Sequence, residues 1–221
     1  MPDSADPLHI LISGGEGDLA RALEQEFTGD TVLAPGRKAM DVRDEAQVER
    51  YFSQLKRIDV LIANAGLTRD GALTGLSAED FNEVVDSNLR GAFLCARAAI
   101  KLMIKQRSGH IILIGSRSAR FGTRGQSVYA AAKAGMVGFG QSLAKEYGPR
   151  NIRCNIALPG FLETKMTASL SDERRETVRG EHALGRFNTA ENAARFIAFL
   201  SRLDHVSGQV FTLDSRIDRW T

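Results

Sequence analysis

Apolar residues follow two alternating rhythms along this chain. The first is a short, mostly apolar run, found at residues 8–13, 31–34, 58–63, 111–114, 152–158 and 206–214. Runs of that length, bounded by turn residues, read as strands buried on both faces, as parallel sheets require. The second is a helical stripe. Leu19, Leu23 and Phe27 share one in residues 19–27, and Val48, Tyr51, Phe52 and Leu55 share another in 45–56. A long helix is expected over 77–105, opened by the capping sequence S-A-E-D, and a last one over 190–202 with Ala193, Phe196, Ile197 and Leu200 inward. Strand and helix alternate, which predicts an α/β protein on a parallel sheet. Met40-Asp41-Val42 stands between the second and the next long run, so residues 58–63 count as the fourth strand.

Composition narrows the picture by exclusion. The 221 residues suffice for one α/β domain with a sizeable core, and no repeat or linker divides residues 1–221. A net charge of +2 gives no reason to expect nucleic acid. Cys95 and Cys154 stand apart in apolar surroundings, as buried thiols in a reducing compartment do. His9, His110, His182 and His205 are scattered, so no metal site is expected. The polar start lacks a signal core, and no apolar run nears the ~20 residues that span a bilayer. A cytoplasmic protein without membrane contact is the expectation.

Candidate chemistry gathers in residues 116–133. The run 111–114 ends at Gly115, and Ser116 follows at its carboxyl end, where open parallel sheets place their ligands. An Ala-rich helix opens at Val128 and carries Tyr129 and Lys133, four apart and so on one face. A phenol titrates near pH ~10, and a nearby ammonium lowers that value, which readies the phenol for proton exchange. The Tyr-Lys pair alone is common in helices; the serine thirteen residues upstream makes the set pointed.

Ser116, Tyr129 and Lys133 at this spacing resemble the catalytic set of the short-chain dehydrogenases/reductases. The resemblance implies a Rossmann-like doubly wound sheet over roughly residues 8–215, without the helix usual between the second and third strands. It also implies that Asn88, in S-N-L-R-G, bends its helix and holds a relay water beside Lys133 through its carbonyl. The Gly-rich turn S-G-G-E-G-D-L-A aligns with the family's phosphate-binding turn, giving Ser13, Gly14, Gly15, Gly17, Asp18 and Leu19 as cofactor-binding positions. Asp18 and Ala20 replace two of the family's glycines. A carboxylate there repels a pyrophosphate unless Asp18 caps the helix and turns away.

Further cofactor positions come with the resemblance. Arg37, after Pro35-Gly36, stands where the family reads the adenosine ribose and favours NADP over NAD, although a solvated turn arginine fits as well. Asp41 and Val42 resemble the adenine-edge pair. A-N-A-G places Asn64, Ala65 and Gly66 beneath the cofactor. P-G-F-L-E-T-K-M, residues 159–166, resembles the start of a substrate lid over about 161–187, bringing in Pro159, Gly160, Leu162 and Thr164; read by itself, that segment is a solvated loop with a short helix. Tyr129 and Lys133 count among the cofactor residues too.

A-G-L-T-R-D, residues 65–70, resembles the 3-oxoacyl-acyl-carrier-protein reductases. The expected activity is therefore NADP-dependent reduction of a carbonyl, with a 3-oxoacyl thioester as substrate. Lys101, Lys105 and Arg107 would face an acidic acyl carrier protein, although a solvated helix end accounts for them as well. The competing reading is a non-catalytic binding or regulatory member of the same fold, motivated by Asp18 and the missing helix. Gly135, Gly138 and Gly140 each cost about 1 kcal/mol in a helix. They predict a close backbone neighbour and, with the resemblance, a homo-oligomer, a tetramer or a dimer.

Overall fold

The computed structural model describes residues 7–164, 167–168 and 171–217. Six strands form one parallel sheet: β1 His9–Ile12, β2 Thr31–Leu33, β3 Val60–Ala63, β4 Gly109–Ile114, β5 Ile152–Leu158 and β6 Val210–Thr212. Their spatial order is β2-β1-β3-β4-β5-β6. Strands alternate their side chains between faces. Ile10, Ile12, Val60, Ile62, Ile112 and Ile114 meet α1 (Asp18–Glu26) and α8 (Ala190–Ser201) on one side. Leu11, Leu61, Ile111, Leu113 and Ile156 meet α2 (Glu45–Ser53), α4 (Gly91–Gln106) and α6 (Ser127–Tyr147) on the other. The doubly wound architecture is thus as expected.

The loop after β2 departs from the expectation. Residues 34–44 contain the missing helix's gap, as anticipated, but Met40-Asp41-Val42 is no strand. Residues 58–63 therefore supply the third strand of the chain, and β2 is a sheet edge. The backbone explains the difference: Ala39 N and Met40 N both donate to Gly36 O at 3.0 Å, and Asp41 N donates to Gln47 Oε1 at 3.2 Å. Those groups are engaged in a turn and cannot extend the ladder. Met40 and Val42 are nonetheless buried in the core, with Val42 against Gly91.

Several helices carry site residues. α3 (Ala78–Val85) opens on the Ser77–Asp80 capping box and continues through a π-helical turn, Asp86–Arg90, into α4. The single long helix of the sequence reading is therefore widened where Asn88 sits. A short α5 (Ser118–Phe121), not anticipated, precedes α6. α7 (Asp172–Gly180) stands alone in the charged segment. The glycines of α6 correct an expectation. A Cβ at Gly135 would meet the Leu89 side chain and one at Gly140 the side chains of Ile156 and Leu113, while Gly138 has nothing within 4 Å. Within this chain they make room for side chains, not for a backbone.

His110, fully buried on β4, places Nδ1 3.3 Å from Ser201 O and Nε2 2.9 Å from Asn155 Nδ2. A carbonyl needs a donor and an amide N–H an acceptor, so the ring is the neutral Nδ1–H tautomer. Burial, then the Arg153 charge, lower its pKa to about 3 against the Ser201 bond, which raises it. A depressed histidine contributes stability above its unfolded value near 6.5 that is lost as pH falls toward 3. Between pH 7 and 5 the loss from this residue is about 2 kcal/mol. We expect the stability difference between wild type and His110→Gln, from urea unfolding, to shrink by about that amount over this interval; a pH-independent difference would contradict it.

Candidate active site

The chain passes from β1 outward to β2 and then returns to β3 on β1's other side. Loops at the carboxyl ends of these strands diverge there and leave a crevice. Its volume is about 750 Å³. Ser116, Tyr129, Lys133 and Asn88 all line it, brought from the end of β4, two turns of α6 and the π-turn.

Ser116 accepts a hydrogen bond from Ser118 N at 3.2 Å and is hydrogen-bonded to the Tyr129 phenol. Lys133, 3% exposed, donates to Ile114 O at 2.7 Å, with Nζ 5.7 Å from the Tyr129 ring centroid. Burial lowers its pKa to about 8. The expectation that Lys133 lowers the Tyr129 pKa is not met in this structure. Burial raises the phenol, the Ser116 bond lowers it, and the Asp70 charge raises it further. The net shift is upward because desolvation dominates. Tyr129 therefore holds its proton, the state a proton donor requires.

Asn88 is fully buried, and its amide nitrogen donates to Leu67 O at 2.7 Å and Val84 O at 2.8 Å. Two carbonyl acceptors fix the orientation of the amide. Its Oδ1 is buried without a hydrogen-bond partner. A Cβ on Gly66 would lie 2.5 Å from that oxygen and 3.5 Å from Lys133 Nζ. The Asn88 oxygen and the lysine ammonium thus face one small polar space, roomy only because residue 66 is glycine.

The Gly-rich turn divides into two kinds of position. Gly14, Gly17, Asp18 and Leu19 line the crevice. Ser13 and Gly15 do not. Ser13 Oγ accepts from Asn64 N and Ala65 N, both at 3.1 Å, and Asn64 Nδ2 returns a bond to Ser13 O at 3.1 Å, so this pair ties β1 to β3. Gly15 lies against β2's end, where a Cβ would come within 2.0 Å of Ala34 O. Gly14 has φ +70°, and a Cβ there would meet Ala65 Cα at 2.8 Å, so the turn accepts only glycine. The cap of α1 is Gly17, with no side-chain cap bond, and Asp18 is the first helical residue. Capping by Asp18 is thereby overturned: its carboxylate stands in the first turn, where the helix dipole favours it.

At the adenosine end, Arg37 reaches Asp41 Oδ2 at 3.2 Å, and Arg43 grips the same carboxylate at 2.7 Å. All three line the crevice with Val42. Arg43 was missed in the sequence, although D-V-R places it beside Asp41. Glu16, also in the wall, packs against Gly36. Asn64, Ala65 and Gly66 line the floor, and Pro159, Gly160, Leu162 and Thr164 the opposite wall. Thr164 N donates to Thr167 Oγ1 at 3.0 Å. Lys165 and Met166 of the expected lid lie outside the described residues. A second missed group is a polar chain. Gln126 donates to Asp70 at 2.9 Å and accepts from Ser118 Oγ at 3.1 Å, fastening the Ser116 loop to the loop after β3.

The residues present fit a dinucleotide: a crevice of suitable size, a glycine-only turn at the start of α1, and a basic pair at one end. Comparison with known proteins gives the same direction. Residues 11–215 match a family model described as enoyl-(acyl carrier protein) reductase. The chain is 38% identical over 207 residues to the 3-oxoacyl-acyl-carrier-protein reductase of Thermotoga maritima, covering 90% of this chain and 84% of that one. Its identity to the corresponding reductase of Escherichia coli is 39% over 177 residues, 78% and 72% of the two chains. Among solved structures it resembles one assigned as an NAD(P)-dependent gluconate 5-dehydrogenase from Beutenbergia cavernae with NADP bound at low occupancy. The TM-score is 0.92 at 28% identity, over 97% and 98% of the chains.

Proposed function

The chain belongs to the short-chain dehydrogenase/reductase family, and from that premise we propose that it is an NADP-dependent oxidoreductase that reduces the carbonyl of a 3-oxoacyl thioester to a hydroxyl. The observation that carries the reading is the convergence of Ser116, Tyr129, Lys133 and Asn88 on one crevice. NADP fits through Arg37 and Arg43, a paired cationic surface suited to a 2′-phosphate. Asp41 and Val42 would edge the adenine, Asn64–Gly66 the central floor, and Pro159, Gly160, Leu162 and Thr164 the nicotinamide end. Asp18 opposes a pyrophosphate at the same turn and weakens the hold without abolishing it.

When bound, NADPH supplies the hydride. Ser116 hydrogen-bonds the substrate carbonyl oxygen, and Tyr129 gives it a proton. Lys133 holds the ribose, and the polar space between Lys133 and Asn88 Oδ1 returns a proton through water. The upward shift of Tyr129 suits this acid role in the reducing direction.

The oxoacyl substrate is supported by the reductase relatives and by A-G-L-T-R-D, whose Asp70 braces the Ser116 loop. Lys105 and Arg107, exposed at the end of α4, would receive an acidic acyl carrier protein; Lys101 is partly committed to Glu49 at 3.4 Å. No helix among the described residues is long and apolar enough to cross a membrane. A cytoplasmic homotetramer, or a homodimer within it, completes the proposal.

Screening carbonyl substrates for NADPH oxidation tests the reading directly. Tyr129→Phe is expected to keep NADPH binding and to lower kcat by roughly 10²–10⁴-fold; retention of more than about a tenth would exclude general acid catalysis by this residue. Arg37→Ala is expected to weaken NADPH much more than NADH in fluorescence titrations, and equal losses would make Arg37 a bystander.

A further inference from the structure

The end of the crevice beyond Tyr129 is richer in arginine than a neutral acyl chain requires. Arg124, on the loop between α5 and α6, and Arg174, on α7, line it from different walls and are exposed. Neither guanidinium has a carboxylate partner among the described residues. The adenosine end differs, since Arg37 and Arg43 are both bound to Asp41.

A third cation is built in more firmly. Arg216, from the segment after β6, lines the same crevice with its side chain only 11% exposed. Its Nε donates to Asp214 Oδ2 at 2.9 Å, and the Asp214 side chain is wholly buried. Its Nη1 stands 3.7 Å from Glu181 Oε2, close enough to attract but longer than a hydrogen bond. One edge of the guanidinium is therefore fixed by a buried carboxylate while another faces the crevice. Among the described residues the carboxylates near this group are Asp214, Glu181 and Asp70, the last engaged by Gln126 and Thr68. With Arg216 held by Asp214, the exposed Arg124 and Arg174 are the cations that no carboxylate pairs.

We propose that this end recognises an anionic group, a carboxylate or a phosphate, carried by the carbonyl substrate. Arg216 is the oriented anchor, and Arg124 and Arg174 are the rim that draws the charge in. The inference rests on the reductase reading and narrows its substrate class. A phosphate would arrive on the pantetheine arm of a thioester, and a carboxylate on a small oxo acid. Either is met by charge-assisted hydrogen bonds, and bidentate geometry suits arginine.

The test compares kcat/KM in two matched pairs with NADPH: acetoacetate against ethyl acetoacetate, and acetoacetyl-phosphopantetheine against acetoacetyl-N-acetylcysteamine. At low salt the anionic member of at least one pair is expected to be favoured about tenfold or more. The pair that responds distinguishes carboxylate from phosphate. The preference should shrink as salt is raised, because the rim arginines are exposed. In the Arg124→Ala, Arg174→Ala double variant the ratio within the responding pair should fall toward one, and Glu181→Gln should raise it. Equal rates within both pairs, or an unchanged ratio in the double variant, would overturn the proposal. If none of the four compounds is turned over, the oxoacyl reading fails. Calorimetric binding of acetoacetate and phosphopantetheine to the NADPH-loaded protein then decides this one. Binding lost in the double variant upholds it, and no binding, or binding the variant retains, rejects it.

Discussion

The reversal of the chain between β2 and β3 is the constraint on which the site depends. A strand order of β2-β1-β3 forces the loops after β1 and β3 to leave in different directions, which opens a crevice at the carboxyl ends of the strands. The gap is kept from collapsing or widening by the reciprocal bonds between Ser13 and Asn64, which lock the carboxyl ends of β1 and β3 together. Neither residue reaches far into the crevice chemistry. They fix the frame against which Gly14, Gly17 and Gly66 present bare backbone.

Within that frame the protein holds polar groups where burial disfavours them. Lys133 is nearly inaccessible, and its lowered pKa measures the cost of keeping an ammonium there. Ile114 O, at the end of β4, offsets part of that cost by accepting the Lys133 hydrogen bond. Asn88 keeps an unpartnered oxygen only because the π-turn rotates it off the regular helical ladder and its nitrogen is doubly satisfied. Such local departures concentrate at functional sites. His110 shows the structural alternative: a buried titratable ring whose partners, Asn155 and Ser201, satisfy both nitrogens and leave it neutral.

Charge is distributed unevenly along the crevice. Cations at the adenosine end are tied to Asp41, whereas those beyond Tyr129 are partly open, with Arg216 alone held by a buried carboxylate. That tie also links the segment after β6 to the base of the lid: His182 pairs with Arg216 across an isolated bridge, and Ala183 N donates to Ser215 O at 3.0 Å. The D-S-R sequence at the chain's end thus builds one wall of the crevice.

The sequence by itself determined the strands β1 to β5, β6 within a longer run, the amphipathic helices, and the Ser116, Tyr129 and Lys133 set. Each is written in local periodicity or in spacing over a short stretch of chain, which needs no distant partner to be read. Most of the remaining residues that line the crevice came from the resemblance of short motifs to a family. Tertiary structure decided what depends on competition for partners. Residues 40–42 look like a strand, but their backbone bonds go to Gly36 and Gln47, so the sheet ends at β2. Asp18 looks like a cap, but the helix starts one residue earlier than its pattern implies. The Tyr129 proton is governed by burial, Ser116 and Asp70, while the lysine four residues on is drawn to a strand carbonyl. Gln126 entered the site only through folding, because its partner Asp70 lies 56 residues away; Arg43 and Arg216 are each aimed by a carboxylate two residues earlier, and folding decided only that both pairs stand in the crevice wall.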